Sequence, residues 1–315
     1  MKDREIVLGI DTSNYTTSVA LIYADGELIA NIKRPLAVNS GERGLRQSEA
    51  VFSHIKNLPS AMDEVRAYLA GRSPAAVGVS SRPRNVDGSY MPCFLSGVAT
   101  AEGIAASLGI PLYRFSHQCG HVMAALYSSH SEELMNDKFA AFHVSGGTTE
   151  LLLVTGDSHG FNAELVGGTK DLNAGQIIDR VGVFLGMPFP AGPHMERAAL
   201  EYKGKIPLKK VSVEGTYANL SGLENMAHRI YEESKDVGMT AAFVFEYIGN
   251  SIVEMCNALV RSCGDIPFVF AGGVMCNSII KAKLSARFIS RFAEPALSAD
   301  NAVGVAELTR IAHFG

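Results

Sequence analysis

His117 and His121 stand four residues apart in Phe-Ser-His-Gln-Cys-Gly-His-Val-Met, residues 115–123. On a helix that spacing brings two imidazoles to one side, where they can share a metal ion. A metalloprotease built on such a pair needs a glutamate directly after the first histidine, because the metal-bound water must give a proton to a general base. Gln118 holds that place, and an amide cannot take the proton. The spacing therefore points to a metal site without protease chemistry. Imidazole nitrogen combined with carboxylate oxygen suits iron, zinc or manganese. Asp300, in Ser-Ala-Asp-Asn-Ala at 298–302, is the acid expected to complete the set.

A second kind of chemistry is written in three turns. Asp-Thr-Ser-Asn at 11–14 and Ser-Gly-Gly-Thr-Thr at 145–149 lie between apolar runs. Turns of Ser, Thr and Gly let backbone N–H groups approach phosphate oxygens without obstruction by Cβ. In Phe-Val-Phe-Ala-Gly-Gly-Val-Met-Cys-Asn, residues 268–277, an apolar strand delivers Gly272 and Gly273 to the start of a helix. In this order the three turns describe a nucleotide cleft between two lobes.

The elements that must carry these residues follow from periodicity. Residues 6–13 and 18–23 read as strands, and Asp25-Gly26 joins the second to a third as a hairpin. Residues 139–157 repeat the plan of strand, small polar turn, strand. Helical patterns run over 48–69 and 94–108 around a strand at 76–81, and again over 174–185, 240–261 and 302–313. The apolar stretch 241–248 is expected in the core. Strands alternating with helices predict an α/β fold with covered sheets.

Composition bounds what such a protein can do. With 315 residues, 47% of them hydrophobic and 19% charged, the chain can bury one large core or two lobes. A formal charge of −4 argues against a strong, autonomous grip on nucleic acid, so an RNA substrate needs local basic patches or partner subunits. The five cysteines form no C-x-x-C pair, their number is odd, and the start lacks an apolar signal core. Free thiols in a reducing cytoplasm are expected. No uninterrupted apolar run approaches the roughly 20 residues that cross a bilayer, so no membrane partner is expected.

These residues resemble the TsaD/Gcp (Kae-type) family, transferases of tRNA threonylcarbamoyladenosine biosynthesis. The resemblance runs in order through Gly-Ile-Asp-Thr-Ser at 9–13, Gly-Ile-Pro at 109–111, the His117 and His121 pair, and Val-Ser-Gly-Gly-Thr at 144–148. It continues through Asp-Leu-Asn-Ala-Gly-Gln-Ile-Ile-Asp at 171–179, Phe-Pro-Ala-Gly-Pro at 189–193, Leu-Ser-Gly-Leu at 220–223, Ala-Gly-Gly-Val-Met-Cys-Asn at 271–277 and Asp-Asn-Ala at 300–302.

The resemblance implies the two-lobed actin, sugar kinase and heat-shock ATPase (ASKHA) fold with duplicated mixed sheets, one lobe at 1–116 with 296–315 and the other at 117–295. It implies that His117, His121 and Asp300 hold one divalent iron or zinc ion. His143 is either a further ligand or a strand histidine facing solvent. Asp11 and Ser145 are expected to act in catalysis. His143, Val144, Ser145, Gly146 and Gly147 are expected to meet phosphates, and Asp179, Gly192 and Glu196 the ribose. Gly272, Gly273 and Asn277 are expected to meet the adenosine, Asn277 being equally suited to cap a helix. The implied nucleotide ligand is ATP, AMP or threonylcarbamoyl-adenylate. The implied partners are tRNA and TsaB- or TsaE-like proteins.

Several positions depart from the pattern. The family reads Gly-Ile-Glu-Thr-Ser-Cys-Asp-Glu-Thr in the first turn, whereas this chain reads Gly-Ile-Asp-Thr-Ser-Asn-Tyr-Thr-Thr at 9–17. Residues 82–92 form a longer loop than the compact glycine-rich stretch of relatives. Phe52-Ser53-His54 stands where relatives carry a basic Ser-Arg-Ala-His helix. These differences mark a divergent paralogue. They leave room for two alternatives, a carbamoyl transferase with a non-RNA acceptor and a non-catalytic nucleotide-binding partner of the authentic transferase.

Overall fold

Hydrophobic alternation and one glycine turn set the first sheet. The computed structural model describes residues 4–13, 15–37, 45–157, 160–297 and 302–315. In it β1 (Ile6–Ser13) pairs antiparallel with β2 (Thr16–Tyr23), which pairs antiparallel with β3 (Leu28–Pro35). The β2–β3 turn contains Gly26 at φ +92°, a backbone state that glycine adopts without steric cost. After α1 (Gln47–Leu69) comes β4 (Ala76–Arg82), parallel to β1, and after α2 (Phe94–Leu108) comes β5 (Leu112–Ser116), parallel to β4. The order is β3-β2-β1-β4-β5. Every residue of β1 is buried, as a central strand covered on both faces requires. Ile6, Leu8 and Ile10 face Leu58, Ala61 and Val65 of α1 and Ala101 of α2, while Val7 joins the cluster on the opposite side. The helix α3 (His117–Ser128) follows β5, its first turn capped by the Ser116 hydroxyl, which accepts the Cys119 N–H at 3.2 Å.

The second sheet begins with β6 (Lys138–Val144), β7 (Thr149–Asp157) and β8 (Gly160–Thr169), followed by α4 (Ala174–Phe184) and α5 (Gly192–Glu201). Two short strands, β9 (Val213–Glu214) and β10 (Tyr217–Ala218), precede α6 (Ser221–Ser234) and α7 (Val237–Cys263). Then come β11 (Phe268–Ala271), α8 (Ser278–Ser285) and β12 (Ser290–Phe292). The order is β12-β11-β6-β7-β8-β10-β9, with β11 parallel to both its neighbours. Phe142, Phe268 and Phe270 are buried in this sheet, Phe142 and Phe270 stacking at 6.0 Å between centroids. Each buried phenylalanine contributes roughly 2–3 kcal/mol of transfer free energy. Residues 241–245 of α7 are all buried, so the apolar stretch belongs to the core as expected.

The last helix, α9 (Val303–Phe314), returns to the first sheet and covers its second face through Val303 and Ala306. It also crosses α3 at close range. A Cβ on Gly304 would overlap the Gly120 carbonyl and lie 2.7 Å from the Ala124 nitrogen, so only glycine allows the crossing. The chain divides into two compact units: Met1–Asp137 with Thr155–Ala163 and Ala296–Gly315, and Lys138–Val154 with Glu164–Pro295. This differs from the expected boundary at 116/117. Packing of α3 on α9, β4 and β5 keeps it in the first unit. The ends of β7 and β8 also join that unit, where the Phe161 carbonyl lies 3.8 Å from the Cys119 sulfur.

Candidate functional site

In the first unit, β1 carries Asp11 into the interior, where its side chain is only 1% exposed. A buried carboxylate stays charged only where hydrogen bonds replace water. Oδ1 accepts the Ser13 backbone N–H at 2.7 Å and Oδ2 accepts the Ser80 hydroxyl at 2.8 Å. Oδ2 also lies 2.7 Å from Nδ1 of His117. This contact favours the tautomer with the proton on Nδ1, leaving Nε2 as a lone pair. His121 follows on α3, its Nε2 2.9 Å from Nε2 of His117.

That separation suits two ligands at neighbouring corners around an ion with metal–nitrogen bonds of about 2.1 Å. The donor set therefore fits a metal, with Asp11 as the outer carboxylate that orients the first ligand. Among the described residues no group of three His, Cys, Asp or Glu side chains is arranged to hold an ion. Asp300, the expected third ligand, lies outside the described residues. Asp11, expected in catalysis, contacts Nδ1 of His117, while Nε2 of that ring faces His121.

Near this acid sits His54, from the segment that departs from the basic helix of relatives. The structure buries it completely. Its Nδ1 lies 2.8 Å from the Thr17 hydroxyl, and its Nε2 has no hydrogen-bond partner among the described residues. Burial pushes the imidazole below its ordinary pKa, against the pull of the Asp11 charge.

In the second unit a pocket of about 310 Å³ gathers Gly146, Asp179, Gly192, Glu196, Gly273 and Asn277. The strands deliver its rim. The Ser145 N–H donates to the Thr148 carbonyl at 2.8 Å, closing a turn after β6, and the Ser145 hydroxyl accepts the N–H groups of Gly147 and Thr148. That hydroxyl is thus engaged in holding the turn. After β11, Gly272 takes φ +97°, and a Cβ there would overlap the Val144 carbonyl. Glycine is needed for β11 to hand the chain to the 3-10 turn Gly273–Cys276 so close to β6.

Three polar side chains of the pocket are anchored at one end. Asp179 Oδ1 accepts the Ala191 N–H at 2.8 Å. Glu196 Oε1 accepts both the N–H and the hydroxyl of Ser278, at 2.7 and 2.5 Å, tying α5 to the start of α8. Asn277 Oδ1 caps α8 by accepting the N–H groups of Ile279 and Ile280 at 3.1 and 3.0 Å. The Asn277 Nδ2 is buried without a partner among the described residues. A donor left in that condition costs about 1–3 kcal/mol, which a ligand acceptor recovers. Ile178, Phe245 and Val274 supply an apolar wall, and an apolar wall with a few fixed polar groups is how small-ligand pockets are built.

The chain matches the family model described as TsaD, tRNA N6-adenosine threonylcarbamoyltransferase, over residues 29–307. It belongs to that family. A tRNA N6-adenosine threonylcarbamoyltransferase of Bacillus thuringiensis (strain Al Hakam) is 29% identical over 331 aligned residues, covering 99% of this chain and 93% of the relative. Among solved structures, full-length HypF in its phosphate- and nucleotide-bound form superposes with a TM-score of 0.59 at 12% identity, over 99% of this chain and 56% of HypF. A ROK family glucokinase from Streptomyces griseus, complexed with glucose and AMPPNP, gives a TM-score of 0.54 at 12% identity, over 97% and 99% of the two chains. These neighbours carry the ASKHA fold expected of a TsaD chain.

Within this TsaD-family chain, some expected residues lie apart from the pocket lining. His143 is half-buried on β6, in register with Ala271. Val144 is buried, and Ser145, Gly147 and Gly272 are chain neighbours of the lining residues Gly146 and Gly273. Asp171 of the family motif accepts the N–H groups of Leu220 and Ser221, which fixes the start of α6. Sequence reading missed Ile178 and Val274 as pocket residues, and it assigned Phe245 to the core alone; apolar residues in a helix carry no mark of which cavity they line. None of the five cysteines is in a disulfide, and burial pushes the Cys93 thiol up to about 11. Among the described residues no helix is long and apolar enough to cross a membrane.

Proposed function

We propose that this protein transfers threonylcarbamoyl from its adenylate to the adenosine next to the anticodon of tRNA. The observation that carries the reading is the pocket that collects Asp179, Glu196 and Asn277, each with a second side-chain polar atom beyond the one anchored above, in a chain of the TsaD family. The adenylate's nucleoside sits there. Asp179 Oδ2 and Glu196 Oε2 accept from the ribose hydroxyls, Asn277 Nδ2 donates to adenine or ribose, and Gly146 and Gly273 let the chain approach the phosphate.

His117 and His121 would hold iron or zinc, with Asp300 as the third ligand. When bound, such an ion acts as a Lewis acid on a carbonyl or phosphoryl oxygen. Asp11 keeps the proton of His117 on Nδ1 so that Nε2 remains a donor of electrons. In the transfer, the adenosine amine forms a C–N bond to the threonylcarbamoyl carbon and loses a proton. The bond from that carbon to the phosphate oxygen breaks, and AMP leaves. The backbone N–H of Gly146 in the 145–147 turn stabilises charge that develops on oxygen. We place the protein in the cytoplasm, with TsaB- or TsaE-like proteins as its partners. The family match favours neither a non-RNA acceptor nor a non-catalytic role.

The test is reconstitution with metal, the partner proteins, threonylcarbamoyl-adenylate and unmodified tRNA, read by mass spectrometry of the nucleosides. Modified adenosine and stoichiometric AMP are expected. AMP formation without modified tRNA, under conditions in which a standard relative works, would overturn the reading.

A further inference from the structure

A pocket of about 580 Å³ in the second unit is lined by Lys209 and Lys210 from the coil before β9, Arg261 from the last turn of α7, and Arg287 after α8. Glu254 is the acid among its lining residues. Three separate segments thus bring four cations and one carboxylate together in a chain whose formal charge is −4. Elsewhere in the same unit Lys170, Arg180 and Lys283 are neutralised by Glu214, Glu224 and Glu246. The four pocket cations are exposed and have no side-chain hydrogen bond or ion pair among the described residues. Glu254 offsets only part of their charge, which leaves the opening net positive.

We propose that this pocket binds the sugar-phosphate backbone of a base-paired stem of the substrate RNA. The proposal rests on tRNA being the acceptor and identifies where this chain holds it. Three features select a nucleic-acid backbone over a compact small anion. The cations are long, exposed side chains spread over a wide opening rather than buried donors converging on one point. Repeated phosphates meet such a spread at several places at once, and each contact releases counterions. The lining contains no aromatic side chain on which an unpaired base could stack, so the site reads phosphate positions and not the loop bases.

The test compares the full chain with a variant carrying Lys209→Ala, Lys210→Ala, Arg261→Ala and Arg287→Ala, and with Glu254→Gln. Binding of unmodified tRNA is titrated from 50 to 200 mM salt. The four-fold variant should bind at least about ten-fold more weakly, with the slope of log K against log salt smaller by about 0.9 for each phosphate contact removed. Glu254→Gln should bind more tightly, a gain that a folding defect cannot mimic. Wild-type affinity and slope in the four-fold variant overturn the proposal. So does full displacement of tRNA by equimolar ATP at constant ionic strength, which marks a small-anion pocket. Nucleoside analysis on the same samples separates the two readings. Transfer by wild type with unaltered RNA binding by the variant sinks the surface alone. Loss of RNA binding by the variant, with no transfer even by wild type, sinks the tRNA-transfer reading and keeps the surface.

Discussion

The carboxylate of Asp11 and the imidazole of His117, 106 positions apart in the chain, meet at 2.7 Å between Oδ2 and Nδ1. An outer carboxylate of this kind fixes the tautomer and raises the basicity of the ligating nitrogen. Replacing Asp11 by Asn keeps the volume and removes the charge. Asp11→Asn should weaken iron or zinc binding by about 10- to 100-fold, measured by competition with a chromogenic chelator. Unchanged metal affinity would remove Asp11 from the site.

Asn277 has two jobs that substitution can separate. Asn277→Ala loses the cap of α8 and should be about 1 kcal/mol less stable than Asn277→Ser, which keeps a capping oxygen. The Ser variant also loses the buried Nδ2 that has no partner among the described residues, and should be at least as stable as wild type. Both lose the buried Nδ2 donor, so both should bind an adenylate analogue about ten-fold more weakly, at roughly 1–1.5 kcal/mol per hydrogen bond. Calorimetry of binding beside thermal unfolding checks the split. Wild-type affinity in the Ser variant would show that Nδ2 does not touch the ligand.

His54 gives the fold a pH dependence of definite sign. Burial holds the imidazole neutral and lowers its pKa below 6.5, so the unfolded chain takes up the proton more readily than the folded one. Its stabilising contribution is complete above that ordinary value and is lost as the pH falls from there through the lowered folded value. Urea unfolding between pH 7.5 and 5.5 should show wild type losing stability more steeply than His54→Asn, whose amide does not titrate. Parallel pH profiles would refute this.

Gly304 sets the distance between α9 and the helix that bears both imidazoles. Gly304→Ala pushes a methyl into the Gly120 carbonyl, and overpacking of this kind costs about 1–3 kcal/mol. The variant should unfold at a lower temperature and also lose metal affinity, because α3 has to shift. A fall in stability with metal binding intact would mean that α9 yields instead.

Much of the architecture was legible locally. Periodicity placed α1 and α2 nearly at their observed ends, and Asp25-Gly26 announced the β2–β3 turn. The helix spacing of His117 and His121 survived because it is a property of one turn of chain. The role of Asp11 did not show, since a strand acid beside Thr and Ser looks like any turn-flanking residue until β4 and α3 bring Ser80 and His117 to it. Glu196 read as a ribose ligand, yet one of its oxygens is spent on Ser278, a partner 82 positions away.

By itself, then, the sequence determined the first hairpin, the helices α1, α2, α4, α7 and α9, the paired imidazoles, the glycine turns and the family, all of which are recorded in short-range pattern or in ordered motifs. Tertiary structure alone decided that His54 is buried, that Asn277, which lines a pocket, keeps a donor with no partner among the described residues, and that Lys209, Lys210, Arg261 and Arg287 share one opening. The physical reason is that torsional preference and amphipathic spacing act over a few residues, whereas desolvation and charge depend on which distant segments packing brings into contact.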